Sequence, residues 1–420
     1  MNSLSQQPLS FDIVLKVAER CNLACPYCYY FFQEYDGNAN APLITAEVEE
    51  ELPRFLLRSV EQLNLQRLNI VLHGGEPLLL KKRRFDALCT RLRRELDGKT
   101  ELTFGIQTNG VLIDDEWIEI FARHGIRPGV SIDGLKSTHD RLRPDHRGRG
   151  SYDAAVRGLR LVQEAVNAGR LDRAGALCVV HVGDETEKLL EHLIFELDIH
   201  SPSLNFPRGG WDNADVVAWN EGVESHRKIV RYWIDNLVFP QFHFVRGITD
   251  VFFSLYSELG AANTDVRASS RHYIATISSE GVLLPDDNII GLDTRFGDSG
   301  LKIFGTSLRD FVESPLWNEL ETALDNVPGE CRECEWYRSC RGGDLFNRYS
   351  RQQGFAAKSV LCDTIKMIHE ELSAFMIRRG IVSVEDLATR LGTVPTATAA
   401  KVREALLQKP LALESQPVTA

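Results

Sequence analysis

The chain has 420 residues, enough for a full-sized core and a second module, and its hydrophobic (43%) and charged (25%) fractions are those of an ordinary globular protein. A net charge of −11 argues against non-specific nucleic-acid binding, which needs clustered Lys and Arg to displace counterions; the basic runs at 81–84 and 141–149 read as solvated faces. No stretch approaches the ~18–20 apolar residues that span a bilayer, and the polar start lacks the regions of a signal peptide, so the expected compartment is the cytoplasm, with no membrane or nucleic-acid partner.

In chain order, short apolar runs alternate with longer amphipathic ones from residue 11 to about 207. Strands are predicted at 11–17, 68–72, 103–107, 127–132, 176–181 and 203–206, with helices at 45–63, 81–96, 114–124, 151–168 and 186–197 between them. Six strands separated by helices predict an α/β fold with a parallel sheet and right-handed crossovers. A partial (β/α)6 barrel and a doubly wound sheet both satisfy this pattern, and either puts functional residues at the C-terminal ends of the strands. The turns after Cys21 and at 73–77, 107–110 and 131–134 all fall there, which points to one shared site.

Residues 30–44 read as a long aromatic and polar loop, and loops of this length often carry function. The stretches 214–238, with Trp219 and Trp233, and 240–262 read as a helical bridge. From 272 the periodicity turns β-rich, with an apolar run at 273–277, a turn through Gly281 and a second run from Val282. The resulting divisions are 1–213 (partial barrel), 214–265 (bridge), 266–380 (second module) and 381–420 (helical tail). In the tail Ser383 is an N-cap with acids in the first turn. A short helix follows near 397–407, and the last dozen residues read as disordered.

Nine cysteines in a reducing compartment argue for metal ligation over disulfides. Cys21, Cys25 and Cys28 follow the first predicted strand at C-x3-C-x2-C spacing, and Cys331, Cys334, Cys340 and Cys362 form a second group. Cys89 and Cys178 read as small buried hydrophobes. Three thiolates on a short loop suit a [4Fe–4S] cube; such cubes normally have four cysteine ligands, so the missing one leaves an iron open to a cofactor or substrate. A zinc knuckle is the alternative, although structural zinc wants four ligands. The second group is a closed site that, on ligand count, suits zinc and a fully ligated [4Fe–4S] cluster equally.

The first loop resembles the motif of radical S-adenosylmethionine (SAM) enzymes, with Tyr27 just before the last cysteine. The resemblance implies that SAM chelates the open iron and that one electron cleaves it to a 5′-deoxyadenosyl radical. Gly74, Gly75, Glu76 and Pro77 are similar to that family's GGEP motif, which holds the SAM amino group. Thr108 and Asn109 before Gly110, and Ser131 before Asp133, resemble its strand-end motifs near the ribose and methionine parts of SAM; on its own, Asp133 reads as a turn cap. Arg143, in His139-Asp140-x-x-Arg143, resembles the arginine that meets the SAM carboxylate, a pairing that the guanidinium fork suits.

The second cysteine group resembles the SPASM extension of peptide-modifying members of that family. It departs at Asp344, where a further cysteine is usual, and at Asp286, where an upstream one is expected; this implies one auxiliary [4Fe–4S] cluster where the extension usually holds two. In the related sulfatase-maturing enzymes, an aspartate at the position of Asp287 takes a proton from the substrate radical. Alone, two carboxylates after a turn read as solvated. A narrower resemblance, to the cyclophane-forming peptide maturases, rests on Leu72 to Leu79, Arg143, Gly150 to Asp153, Asn205 to Pro207 with Trp211, and Arg348, Tyr349, Ser350, Gly354, Phe355 and Ser359 between Cys340 and Cys362. The asparagine–proline usual before that serine is missing.

That branch joins an aromatic ring carbon to a β-carbon two residues later in a ribosomally made precursor peptide. The implied partners are that peptide and an electron donor of flavodoxin or ferredoxin type. Oxidation of a Ser or Cys side chain, or thioether formation, is the alternative on the same scaffold; a zinc-binding or redox-sensing interaction protein is the alternative in another class. The early first strand leaves no N-terminal leader-binding domain in view, and the acidic surface favours a basic leader.

Overall fold

The computed structural model describes residues 9–29, 41–181, 186–256 and 273–407. Most of the loop expected at 30–44, the later part of the 240–262 bridge and the tail expected to be disordered lie outside the described residues. Strand β1 (Leu9–Ala18) shows how the sequence builds the sheet. Phe11, Ile13, Leu15 and Val17 alternate with Asp12, Val14 and Lys16, and the first four are fully buried. A period of two sends them to one face, where helices cover them, and sends the others to the opposite face. Strand β2 (Leu65–Gly74) repeats the pattern, with Leu68, Ile70 and Leu72 under the helices. Between them, helix α1 (Ala46–Leu63) buries a stripe of Val48, Leu52, Phe55, Leu56 and Val60 at helical spacing, and Thr45 caps its start by accepting from Val48 N.

The remaining barrel strands are β3 (Glu101–Thr108), β4 (Ile126–Ser131), β5 (Gly175–Val179) and β6 (Pro202–Asn205). With the later β7 (Tyr273–Ile277) and β8 (Leu283–Leu284) they form one eight-stranded sheet of order β6-β5-β4-β3-β2-β1-β7-β8. Every neighbouring pair is parallel except β7 with β8. From β1 to β6 the spatial order is the chain order, with no reversal, and this decides between the two expected architectures. A doubly wound sheet reverses its strand order partway. Sequential parallel neighbours joined by right-handed crossovers keep their helices on one side, and the other side becomes the lumen of a partial (β/α)6 barrel. Alternate residues (Asp12, Asn69, Thr103, Gln107, Gly129, Ser203) line a lumen cavity of about 940 Å³.

After β6, helices α7 (Ala214–Glu221), α8 (Val223–Asn236) and α9 (Thr249–Tyr256) fill the bridge region. The boundary expected at 266 lies outside the described residues, and the stretch after it is described from Tyr273. Its strand β7 extends the barrel sheet beyond β1, in register from Phe11 with Tyr273 to Leu15 with Ile277. A small second core of Ile289, Leu292, Phe296, Leu345, Tyr349 and Phe355 lies beyond it. Two polar straps hold this part to the end of the barrel: Asn347 Nδ2 donates to Gly209 O (2.8 Å), and Trp211 Nε1 donates to Lys358 O (2.8 Å). Arg348, almost wholly buried, donates to Asn326 O and Phe355 O, each at 2.8 Å, so several residues of the narrower resemblance are structural. Among the described residues, no helix is long and apolar enough to cross a membrane.

Phe55 is fully buried in the layer that holds β1 and β2 in place. Phe55→Ala is expected to lower unfolding stability by about 3–5 kcal/mol, read by denaturant unfolding followed by circular dichroism.

Candidate active site

The loop after β1 carries Cys21, buried, and Cys25 and Cys28, half-buried, none of them in a disulfide. Backbone contacts from two directions fix it. Ala24 N donates to Pro144 O (2.8 Å), and His146 Nε2 bonds Cys21 O (2.9 Å), so the segment after α4 (Lys136–Leu142) braces the loop from one side. On the other side stand Gly74 and Gly75. Gly75 N donates to Ala18 O and Glu76 N to Arg20 O, both at 2.8 Å. A Cβ on Gly74 would lie 2.0 Å from Ala18 O, and one on Gly75 would lie 2.4 Å from Arg20 O. Gly74 also has φ +144°, a conformation that side chains rarely tolerate. The pair of glycines therefore allows the end of β2 to be stitched to the cysteine loop.

Glu76 is fully buried and committed to protein donors. Thr108 Oγ1 (2.7 Å) and Leu78 N (3.0 Å) donate to Oε1, and Asn109 N (2.8 Å) donates to Oε2. Burial pushes its carboxyl up to about 7, although these three bonds pull the other way. Thr108, expected beside the ribose, spends its hydroxyl here. Asn109 turns its Nδ2 to Asn22 Oδ1 (2.7 Å), beside the Cys21 thiol. Pro77 starts the short 3₁₀ turn capped by Glu76. Ser131, buried at the end of β4, accepts from Gln107 Nε2 (2.9 Å).

Asp133, read from sequence as a turn cap, is an ionic anchor. Its side chain is fully buried and pairs with Arg143 Nε at 2.8 Å. It also accepts from the Tyr27 hydroxyl and from Val179 N (3.0 Å). Burial works against its charge, but Arg143, His181 and Tyr27 outweigh that and hold it well below the usual carboxylate range. Only Nε of Arg143 bonds Asp133; its terminal nitrogens make no hydrogen bond among the described residues. They are the donors that a ligand carboxylate would meet beside Cys25. The thiol of Cys25 is pushed up to about 11 by burial, and that of Cys21 well upward for the same reason. Thiols so disposed ionise when a cation binds them, which is the behaviour expected of cluster ligands.

Asp287 is buried in the lumen at the same rim. Its Oδ2 accepts from Lys16 Nζ (2.9 Å) and Tyr29 OH (2.6 Å). Lys16 Nζ also donates to His73 Nδ1 (3.2 Å), while His73 Nδ1 stands 3.9 Å from Asp287 Oδ2. Burial opposes the charge of Asp287, yet Lys16 first, then His73, Tyr29 and Arg208, hold its carboxyl far below the usual range. Asp286 is pushed up to about 6 by burial and by the charge of Asp287. Beside this group opens a cavity of about 350 Å³ lined by Tyr29, Arg208, Asn288, Leu292, Tyr349 and Arg351, among others. The Arg208 guanidinium lies over the Tyr29 ring at 5.4 Å.

Cys331, Cys334, Cys340 and Cys362 line one small cavity, with Lys358 and Lys366 at its edge. Burial raises the thiols of Cys331, Cys340 and Cys362, to about 11 for Cys340. Among the described residues, no group of three or more His, Cys, Asp or Glu converges tightly enough to hold one metal ion. A tetrahedral zinc with ~2.3 Å bonds to sulfur needs such convergence, whereas a cube spreads its ligand sulfurs over four corners. Four thiols lining one small cavity are a ligand set that fits a [4Fe–4S] cluster. Cys89 and Cys178 are buried in the barrel core, as small hydrophobes.

Lys16, His73, Tyr29 and Arg208 are the functional candidates that sequence reasoning missed. The signal for Lys16 was present: a lysine among the apolar residues of β1 is costly to bury without a partner. His73 occupies the equivalent inward position of β2, directly across from Lys16 in the strand register.

Two expectations follow from this geometry. Gly75→Ala should part the β2 turn from the cysteine loop, with iron uptake by the first cysteine group and SAM cleavage both strongly reduced, as read by iron assay and 5′-deoxyadenosine yield. Asp133→Asn leaves Arg143 buried without its counter-charge and should cost about 3–5 kcal/mol of stability, checked by chemical denaturation.

Residues 15–194 match the family model of the Radical SAM superfamily. The serine-type anaerobic sulfatase-maturating enzyme of Klebsiella aerogenes is 36% identical over 161 residues, which are 38% of this chain and 38% of that enzyme. That match thus spans well under half the relative's length. The serine-type enzyme of Bacteroides thetaiotaomicron is 23% identical over 87% of this chain and 90% of its own, and the cysteine-type enzyme of Clostridium novyi is 21% identical over 86% and 95%. Among solved structures, native anSMEcpe with bound AdoMet and Kp18Cys peptide has the same fold, with a TM-score of 0.71 at 19% identity over 88% of this chain and 98% of that one. Through residues 15–194 the chain resembles the Radical SAM superfamily, and its cofactors are SAM and [4Fe–4S] clusters.

Proposed function

We propose that this protein is a maturase that removes two hydrogens from one or two side chains of a polypeptide substrate. The observation that carries this reading is Asp287, a buried carboxylate kept charged at the rim where the cysteine loop and the 350 Å³ cavity meet. Cys21, Cys25 and Cys28 would hold a cluster that, together with SAM, would supply one-electron radical chemistry at a substrate carbon. The chain's residues then have distinct tasks. The free nitrogens of Arg143, aimed by Asp133, would hold the SAM carboxylate, and Glu76 would fix the turn against which its amino group rests. Asp287 would take the proton that leaves the substrate radical. Cys331, Cys334, Cys340 and Cys362 would hold an auxiliary cluster, whose chemistry when bound is electron acceptance. The cavity's glycine-rich and aromatic walls would hold the peptide close to its reacting geometry, which keeps a radical from reacting elsewhere.

Oxidation of a Ser or Cys side chain is the reading supported by the sulfatase-maturating relatives that match along most of the chain. Crosslinking of an aromatic ring to a β-carbon is the second reading, and one observation favours it. Asp286 and Asp344 stand where the SPASM resemblance expects cysteines, and Asp286 instead caps its turn by accepting from Asn288 N (3.1 Å). A single four-cysteine group then remains, the pattern of the cyclophane branch.

Anaerobic incubation with SAM, dithionite and peptides bearing either a sulfatase-type serine or a spaced aromatic pair separates the two. Loss of two hydrogens with a hydrazide-reactive carbonyl supports side-chain oxidation. The same loss without a carbonyl, and with a ring proton missing by NMR, supports the crosslink. SAM cleavage with no peptide of either kind altered would overturn the proposal. Asp287→Asn is expected to lower peptide product per SAM cleaved by about 10²–10⁴-fold, measured by mass spectrometry.

A further inference from the structure

We infer that Lys16 is a positioning residue for the Asp287 base: a cation built into the first strand that keeps the carboxylate charged and aimed, and is itself held by His73. The inference deepens the proposed reaction and rests on Asp287 being its base. The geometry is specific. Lys16 is at the C-terminal, inward-facing end of β1, with 1% of its side chain exposed, and the Asp287 side chain is 8% exposed. An ammonium group so buried is costly unless a counter-charge and hydrogen-bond acceptors meet it. Asp287 Oδ2 at 2.9 Å is the counter-charge, and His73 Nδ1 at 3.2 Å is an acceptor. Since the ammonium has only hydrogens to offer, His73 must present a lone pair at Nδ1 and carry its own proton on Nε2. Burial and the charge of Lys16 agree with this, lowering the imidazole to about 3, so His73 is neutral.

The other groups around Asp287 do not replace Lys16. Tyr29, on the cysteine loop, donates one neutral hydrogen bond at 2.6 Å. Arg208, from the segment after β6, stacks on the Tyr29 ring and makes no hydrogen bond to the carboxylate. Asp286, on the same turn, adds a carboxyl whose charge opposes that of Asp287. His73, on β2, is neutral. Lys16 is therefore the cation in direct contact with Asp287 among the described residues. Its removal leaves a carboxyl buried beside a phenol, an imidazole and a second carboxyl, with the Arg208 guanidinium nearby but not hydrogen-bonded to it, an environment that favours the protonated form more than the wild-type one does. The sign is fixed by this. With Lys16 present the carboxylate stays charged across neutral and mildly acidic pH. Without it, Asp287 retains its proton to higher pH and can accept none from substrate as pH falls.

The test uses the full-length, reconstituted enzyme, with iron content recorded for each variant. Product per SAM cleaved is measured from pH 6 to 9 for wild type, Lys16→Met, Lys16→Arg and Asp287→Asn, on a synthetic peptide bearing a sulfatase-type serine and on one bearing a spaced aromatic pair. Wild type should show no acid limb. Lys16→Met should lose product on the acid side by about tenfold per pH unit, and Lys16→Arg, which keeps the charge, should restore the flat profile in part. A peptide-free arm compares melting temperatures at pH 8. Asp287→Asn should lower the melting temperature in the wild-type background, where it breaks an ion pair, and raise it in the Lys16→Met background, where it removes an uncompensated charge. A Lys16→Met enzyme with a flat profile, or a shift of the same sign in both backgrounds, overturns the role of Lys16. Undiminished product from Asp287→Asn instead overturns the base assignment beneath it. Should Lys16→Met fail to take up iron, Lys16→Gln, which loses the charge and keeps polarity, is put through the same two arms.

Discussion

Sequential parallel strand order is the constraint from which the site follows. When each strand lies beside the one before it and every crossover has the same hand, all C-terminal ends reach one rim. The Cys21 loop after β1, the glycine turn after β2, Asn109 after β3 and Asp133 after β4 thus become neighbours although they are spread over more than a hundred residues. The same constraint divides each strand into two faces. Residues such as Phe11, Ile13 and Leu15 drive burial beneath the helices, and their partners Asp12 and Lys16 are left to the lumen. Adding β7 alongside β1 carries the following turn, with Asp286 and Asp287, to that rim as well.

Polar groups brought together in this way, away from water, must satisfy one another. Glu76 does so with three protein donors, and Asp133 does so with Arg143, Tyr27 and Val179. Neither carboxylate is left to a ligand alone. What the protein presents is the remainder: the terminal nitrogens of Arg143, the thiols of Cys21 and Cys25 raised by burial, and a lumen carboxylate whose charge is fixed in advance. Electrostatic preorganisation of this kind costs stability during folding and spares reorganisation during reaction.

Chemistry written in adjacent residues was legible from the chain. Cys21, Cys25 and Cys28 sit on one loop at a spacing that suits a cluster, and Gly74 to Pro77 sit on one turn whose role is implied by the resemblance. The strand and helix positions were equally readable, because alternation and helical stripes are local. Glu76 illustrates the limit. Its acidity suggests contact with an ammonium group, whereas its buried place on the rim has already supplied Thr108 Oγ1 and two backbone amides. Asp133 and Arg143 each have ordinary readings until α4 returns one to the other.

The amino-acid order by itself determined the periodicities and the first cysteine group with the cluster chemistry it suits, since each depends on residues within a few positions. Tertiary structure alone decided between barrel and doubly wound sheet, since both obey the same alternation and differ only in which strands are neighbours. It alone also brought Lys16 to Asp287 across 271 positions. A pairing of that kind has no local signature: its energy comes from removing both charges from water together, and only the closed lumen does that.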